Sequence, residues 1–167
     1  MTSMNILKKY KNDNYNTPKY AWDILFKFLE LDKNTIIYDP FFNDNSSKTY
    51  MNELGYNNVI HEQEDFYKNY NKYNYDILIS NPPFSQKQKI LSLLYKLNKK
   101  FVLILPVSVI SKLYLRNIFN EDIDKITYII PNRRLQFEIN NTNQKRTPFD
   151  TIYLCYNLSL KKDIIYL

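Results

Sequence analysis

The sequence is poor in the residues that usually shape tight turns and cross-links, since its 167 positions include one glycine, one cysteine and one histidine. A single cysteine, Cys155, excludes a disulfide framework and a zinc site built from cysteines. No apolar run approaches the ~18 residues of a membrane span, and no leader opens the chain, so a soluble intracellular protein of the cytoplasm or nucleus is expected, with no membrane partner. Because Gly55 stands alone, asparagine is expected to take the left-handed turn positions.

Apolar, aromatic and positively charged residues are abundant. Hydrophobic residues make up 44% of the chain, with 16 tyrosines and 10 phenylalanines. A single domain with a proper core is therefore expected over residues 1–167, with 1–14 flexible and no separate target-recognition domain. The net charge of +6 suits a polyanionic partner, although lysine enrichment from an AT-rich coding sequence would give the same charge.

Short apolar strands alternate with helical patterns along the chain. Strands are predicted near 35–38, 58–61, 75–80, 101–105, 126–130 and 150–156. Helices are predicted near 46–54, 90–97 and 111–119, and after Thr17-Pro18, where Thr17 would cap the helix and Pro18 fit its first turn. This alternation favours an α/β fold with a mostly parallel sheet of about six to seven strands. The last two strands are expected to form an antiparallel hairpin at one edge.

The sharpest motif is Asn81-Pro82-Pro83-Phe84, directly after the apolar strand predicted at 75–80. Ligands of open α/β sheets bind at the carboxyl ends of the strands, so this loop lies where a reaction is expected. The prolines fix φ and remove two N–H donors, which leaves a stiff loop with free carbonyls. The Asn81 side chain and the Pro82 backbone can together accept both hydrogens of one amino group, and the Phe84 ring offers a stacking face for a base. A plain proline-stopped strand end is the alternative.

Four motifs, in order along residues 17–84, resemble those of the N6-adenine methyltransferases. They are Thr17-Pro18 before the first helix, Asp39-Pro40-Phe41 as the first motif, Asp65-Phe66 before the catalytic strand, and Asn81-Pro82-Pro83-Phe84 as the catalytic motif. A weaker likeness to small viral and phage members lies in Arg133-Arg134-Leu135-Gln136-Phe137 followed by Pro148-Phe149. The resemblance implies a class I Rossmann-like methyltransferase fold, with S-adenosylmethionine as the cofactor and no metal.

The resemblance also implies a role for each motif residue. Asp39 would hold the methionine amino group of the cofactor. The rest of the implied cofactor site consists of Pro40 and Phe41 in the same pocket, Thr17 and Pro18 at the methionine end, Glu62 on the ribose hydroxyls, Asp65 on the adenine amino group, and Phe66 on the adenine ring. Asn81, Pro82, Pro83 and Phe84 would be catalytic. The only histidine, His61, has no ligand partners in the sequence and is interpreted as structural.

Two features depart from the family's pattern. Asn43-Asp44-Asn45-Ser46 stands where the family has glycines, and the asparagine side chains would crowd the cofactor. Glu62 and Asp65 are separated by two residues, where the family often has a helix and another strand. The sheet is therefore expected to be reduced around its third strand.

The basic segment 131–148 is the one candidate for phosphate binding, through Arg133, Arg134, Lys145 and Arg146. An exposed basic hairpin is the alternative. The sequence therefore predicts methylation of adenine N6 in DNA or RNA, with single strands favoured because the base must leave its stack. A second protein subunit could supply target recognition. The rival hypotheses are a guanine-N2 rRNA methyltransferase, a protein-glutamine methyltransferase, and a non-catalytic subunit of the same fold that binds nucleic acid or a partner chain.

Overall fold

The structure of the protein, a computed structural model, describes residues 15–139 and 149–167. Within these residues, α-helices cover Lys19–Leu29 (α1), Ser46–Glu53 (α2), Phe66–Asn69 (α3), Lys87–Leu97 (α4) and Leu113–Phe119 (α5). Strands cover Tyr15–Asn16 (β1), Ile37–Tyr38 (β2), Val59–Ile60 (β3), Ile77–Ser80 (β4), Phe101–Pro106 (β5), Ile126–Ile130 (β6), Glu138–Ile139 (β7), Thr151–Tyr156 (β8) and Ile164–Tyr166 (β9). The flexibility predicted for 1–14 falls outside the described residues.

Seven strands form one sheet in the order β3-β2-β4-β5-β8-β6-β9. Neighbouring strands from β3 to β5 are parallel, whereas β8 runs antiparallel to both β5 and β6. The predicted α/β class and the mostly parallel sheet are therefore confirmed. The reduction around the third strand is also confirmed, because β3 is an edge strand and the chain passes from it to the short helix α3 without a further strand.

The late antiparallel pair lies inside the sheet. Strands β6 and β8 pair as predicted, but β8 also pairs with β5 over six residues, and β9 covers the other side of β6. The predicted edge position is therefore wrong. All six residues of β8 are buried, including Cys155, which is the burial that a central strand requires. The edge strand β9 was not predicted, because its three residues are mostly exposed and too short for a pattern.

Asparagine takes left-handed backbone positions, as the shortage of glycine predicts. Asn45 has φ 66° at the start of α2, and Asn98 has φ 49° at the end of α4. Gly55 has φ 90° just after α2, and its N–H donates to the Asn52 carbonyl at 2.9 Å. This is the glycine-terminated helix end expected from the sequence.

The first helix begins one residue later than its sequence motif suggests. Pro18, with φ −66°, precedes the first helical residue, and no side-chain hydrogen bond caps the helix. The predicted Thr17 cap is therefore wrong. Thr17 is buried and lines a cleft instead. The preceding strand β1 pairs antiparallel with β7, which places Tyr15 opposite Ile139.

The winding of the sheet defines where a ligand can bind. Strand β2 lies between β3 and β4, so the chain runs to one side of β2 and then returns to the other. In open α/β sheets, the crevice at the carboxyl ends of the strands next to such a reversal holds the ligand. Asp39 directly follows β2 and Asn81 directly follows β4, so the two central motifs meet at this point.

Candidate active site

A cleft lies at the carboxyl ends of β2 and β4. Its outer part has a volume of about 270 Å³, and its inner part, near the start of α1 and α2, about 30 Å³, which is close to the share of one water molecule in the liquid. Tyr15, Phe41, Asn43 and Asn81 line both parts. The cleft brings together six residues predicted to bind the cofactor, namely Thr17, Asp39, Pro40, Phe41, Asp65 and Phe66.

Asp39 is buried at the inner end of the cleft and is held by three side chains. Ser80 donates a hydrogen bond to Oδ1, and Ser47, in the first turn of α2, donates to Oδ2 at 2.6 Å. The Nδ1 atom of His61 lies 3.1 Å from the same Oδ2. A carboxylate that is only 2% exposed needs such partners, because burial without them is costly. The contacts fix the orientation of the carboxylate towards the cleft.

His61 follows β3 and supports Asp39 from the neighbouring strand. Its Nδ1 is also 2.8 Å from the backbone oxygen of Asp39, and the Phe42 ring stacks on the imidazole at 4.9 Å. Burial alone would lower the pKa of His61, but the hydrogen bonds and the charge of Asp39 outweigh burial, so the pKa lies above its usual value. The histidine interpreted as structural thus positions the acid predicted to bind the cofactor.

The pH dependence of stability should reveal this pair. A histidine whose pKa is raised by folding contributes stability that is complete below its unfolded pKa, about 6.5, and that is lost as the pH rises through the folded-state pKa. We expect the free energy of unfolding of the wild type to exceed that of His61→Gln by more at about pH 5.5 than at about pH 8.5. Urea denaturation at both pH values measures the difference. An equal difference at both would mean that the imidazole does not carry its proton into the folded state with a raised pKa.

Asn81 carries an acceptor without a partner. Its Nδ2 donates to the backbone carbonyl of Tyr15 at 3.2 Å, which determines which end of the amide is the amino group. Its Oδ1 is buried and accepts no hydrogen bond from the described residues. Leaving a buried acceptor unsatisfied costs about 1–3 kcal/mol, so such an atom calls for an explanation. Its place on the wall of the cleft suggests that a bound group supplies the missing donor.

Trp22 carries a second unpaired polar atom at the cleft. Its indole Nε1 is buried without an acceptor among the described residues, and the side chain lines the inner part of the cleft together with Thr17 and Asp39. A buried tryptophan N–H usually finds a partner. Trp22 lies on the buried face of α1, and helical spacing in the sequence shows only that such a face is buried. Its donor is a site feature that the sequence did not reveal.

Phe84 is enclosed by other aromatic rings. It is 1% exposed, with the Tyr15 ring stacked at 6.1 Å and 22° and the Phe149 and Phe137 rings edge-on at 5.2 and 6.2 Å. The Tyr15 ring covers a face on which a base was predicted to stack. The prediction that a base stacks on this face of Phe84 therefore requires Tyr15 to move. Strand β1, which carries Tyr15, pairs with β7 at two residue positions.

The outer cleft has an aromatic wall and an acidic rim. Phe41 and Phe66 pack with their ring centroids 4.8 Å apart. Asp65 caps α3, since its Oδ1 accepts from the N–H of Tyr67 at 2.9 Å. Glu62, predicted to bind the ribose, is exposed, whereas Glu64 lines the cleft and contacts Lys72 and Tyr73. Glu64, rather than Glu62, lies with Phe41 and Phe66 in the lining of the outer cleft.

The arginines predicted to bind phosphate make contacts within the chain. The Arg133 guanidinium lies 4.2 Å from the centre of the Tyr20 ring, and Arg134 Nε lies 3.0 Å from Asp150 Oδ1. Lys145 and Arg146 lie outside the described residues. Within 15–139 and 149–167, no group of three or more His, Cys, Asp or Glu side chains could hold a metal ion. No helix in this part of the chain is long and apolar enough to cross a membrane.

Comparison with known proteins identifies the fold. No family model and no curated protein matches the chain. The modification subunit of a type I restriction enzyme from Vibrio vulnificus YJ016 superposes with a TM-score of 0.51 and 9% identity over 93% of this chain and 47% of its own, so the chain spans about half of that protein. A protein from Listeria monocytogenes assigned as a class I S-adenosylmethionine-dependent methyltransferase superposes with a TM-score of 0.52 and 13% identity. The match covers 98% of this chain and 69% of that protein. The chain therefore has the class I methyltransferase fold.

Proposed function

We propose that the protein is an S-adenosylmethionine-dependent methyltransferase that acts on the exocyclic N6 amine of adenine in DNA or RNA. The observation that carries the proposal is the buried Oδ1 of Asn81 at the end of β4, which has no hydrogen-bond partner among the described residues. This oxygen is the acceptor that an amino group would satisfy, and the carbonyl of the adjacent Pro82 supplies a second acceptor on the same loop. The class I methyltransferase fold supports the reaction type.

The inner cleft matches the amino-acid end of the cofactor. The Asp39 carboxylate attracts an ammonium group, and the Trp22 N–H, which has no acceptor among residues 15–139 and 149–167, suits a carboxylate. The inner cavity must widen to take this group, because about 30 Å³ holds little more than a water molecule. The outer cleft, at about 270 Å³, approaches the volume of ligand pockets, roughly 300–1,000 Å³, and its wall of Phe41 and Phe66 suits the adenine ring.

The catalytic loop acts on the amine of the target base. When bound, the cofactor supplies a methyl group that its sulfonium already activates. The lone pair of an exocyclic amine is delocalised into its ring and is poorly nucleophilic. Hydrogen bonds from its two N–H groups to Asn81 Oδ1 and to the Pro82 carbonyl draw the lone pair out of conjugation and direct it into the cleft. Both acceptors are held in place before the reaction, so they stabilise the positive charge that develops on nitrogen.

The acceptor proposed is a base outside a helical stack. Asn81 lies in the wall of the cleft beside Tyr15, so a base must leave its stack to reach it, which costs least in a single strand or a distorted site. The net charge of +6 suits a nucleic acid better than a neutral protein segment. A partner subunit that selects the target is part of the proposal, in keeping with a fold neighbour that is itself a modification subunit of a restriction enzyme.

The proposal is tested by identifying the methylated product. The protein is incubated with labelled S-adenosylmethionine and with separate pools of single-stranded DNA, duplex DNA, RNA and protein, followed by digestion and mass spectrometry. We expect N6-methyladenine, at a higher yield from single strands. Methylation of guanine N2 or of glutamine would replace the proposed acceptor by one of the rivals. Absence of both product and calorimetric cofactor binding would indicate a non-catalytic subunit of the same fold.

Salt should weaken binding of the nucleic acid strongly. Each phosphate contact with lysine or arginine releases a counterion, so log K falls against log salt with a slope of about −0.7 per contact on single strands and −0.9 on duplex DNA. We expect fluorescence anisotropy with a labelled oligonucleotide to give a slope of log K against log salt that corresponds to several phosphate contacts. The reason is that the chain carries 23 lysines and arginines against 17 acids. A flat salt response would show that the positive charge does not contact phosphates.

A further inference from the structure

A second groove adjoins the outer cleft on the side of α4. It has a volume of about 720 Å³ and lies between α3, α4 and α5. Tyr67 and Gln86 line both this groove and the outer cleft, and the Tyr67 hydroxyl donates a hydrogen bond to Gln86. The α4 groove, as we call it, therefore borders the outer cleft, whose lining includes Asn81.

The α4 groove is positively charged. Lys89 and Lys96, both exposed on α4, line it, and none of the described residues that line it is acidic. Neither lysine forms an ion pair with an acid within the described part of the chain, and Lys89 Nζ rests 3.8 Å from the centre of the Tyr67 ring. Lys89 and Lys96 are seven residues apart on the helix, so their backbone positions are about 10 Å apart along its axis, far enough for the two side chains to contact different phosphates of one strand.

Aromatic and amide side chains complete the lining. Tyr67 and Tyr70 are half-buried, and Gln86 and Gln88 are exposed. A basic groove interleaved with aromatic rings is the arrangement by which proteins hold single-stranded nucleic acid, since every base has a face that can stack. Arg134, in contrast, is paired with the Asp150 carboxylate.

We propose that the α4 groove binds the single-stranded DNA or RNA next to the target base. The inference rests on the proposed function and deepens it. Lys89 and Lys96 hold phosphates, Tyr70 stacks against a base, and the strand then passes Tyr67 and Gln86 to deliver the target base to Asn81. The groove thus shares the phosphate-binding role assigned from the sequence to 131–148.

The test compares two variants that remove the same charge. Lys89→Gln/Lys96→Gln changes the groove, and Lys161→Gln/Lys162→Gln, at exposed positions before β9, is the matched control. Anisotropy with single-stranded DNA and RNA oligonucleotides, over a salt series, gives affinity and slope. We expect the groove variant to bind at least about tenfold more weakly with a slope reduced by about 1.4, two contacts of 0.7 each, while the control keeps nearly the wild-type values. Calorimetry with S-adenosylmethionine should give the same affinity for all three proteins.

A third variant separates stacking from charge. Tyr70→Leu should lower oligonucleotide affinity by about tenfold, without changing the salt slope. Equal losses in the groove variant and the lysine control would overturn the inference, because net charge alone would then explain binding. If the wild type methylates nucleic acid and the groove variant binds nucleic acid as tightly as the wild type, the inference about the α4 groove would also be overturned. The proposed function would then still stand. A wild type that binds cofactor but neither binds nor methylates nucleic acid would overturn both.

Discussion

Asn81→Ala is expected to slow methyl transfer by about 10²–10³-fold while leaving cofactor affinity nearly unchanged, by analogy with removal of one preorganised hydrogen-bonding group from an active site. Under the proposed function, Oδ1, which has no partner in the described part of the chain, accepts from the amine most strongly as positive charge develops on nitrogen, so its loss affects the chemical step more than binding. The hydrogen bond from Nδ2 to the Tyr15 carbonyl is lost as well, which costs about 1 kcal/mol of stability.

Single-turnover methylation, with cofactor affinity measured by calorimetry, tests this expectation. Asn81→Asp is the informative control, because it keeps an acceptor for the amine but loses the donor to Tyr15, and we expect it to be more active than the alanine variant. Phe84 is a less suitable target, since Phe84→Ala removes a ring packed against Tyr15 and Phe149 and is expected to cost roughly 3–5 kcal/mol of stability. If Asn81→Ala transfers methyl groups at the wild-type rate, residues 81–84 form only a proline-rich turn and have no catalytic role.

Asp39→Ala is expected to weaken S-adenosylmethionine binding by about 1.5–3 kcal/mol, the range for a hydrogen bond to a charged group. It should also destabilise the fold, because Ser47, Ser80 and His61 would lose their shared acceptor. Removing one partner of a buried pair can cost about 3–5 kcal/mol. Asp39→Asn keeps the size and one acceptor oxygen, so it separates loss of charge from loss of structure.

Calorimetry of S-adenosylmethionine binding to Asp39→Asn, together with the free energy of unfolding of this variant in urea, distinguishes a role of Asp39 in cofactor binding from its role in stabilising the fold. Ser47→Ala is the matched control, since it removes one donor to Asp39 without changing charge, and it should cost about 1 kcal/mol of stability with little change in cofactor affinity. A folded Asp39→Asn protein with wild-type affinity would contradict the assignment of Asp39 to the ammonium group.

The sequence by itself determined the class of fold and the position of the two central motifs. Periodicity and the placing of proline, glycine and asparagine report the local backbone, which is why the strands near Asp39 and Asn81, and the left-handed turn at Asn45, could be predicted. Parallel strands present their carboxyl ends at one edge, so two motifs about forty residues apart could be assigned to one cleft. The lost strand followed from the short spacing between Glu62 and Asp65.

Only the tertiary structure decided which distant side chains meet. Ser80 reaches Asp39 across 41 positions, and Asn81 reaches the Tyr15 carbonyl across 66. Spacing indicates which face of a helix or strand is buried, but not against what, so the support of Asp39 by His61 and the unpaired donor of Trp22 carried no sequence signal. The position of β8 between β5 and β6 was decided in the same way, because strand order depends on how the whole sheet buries its apolar faces.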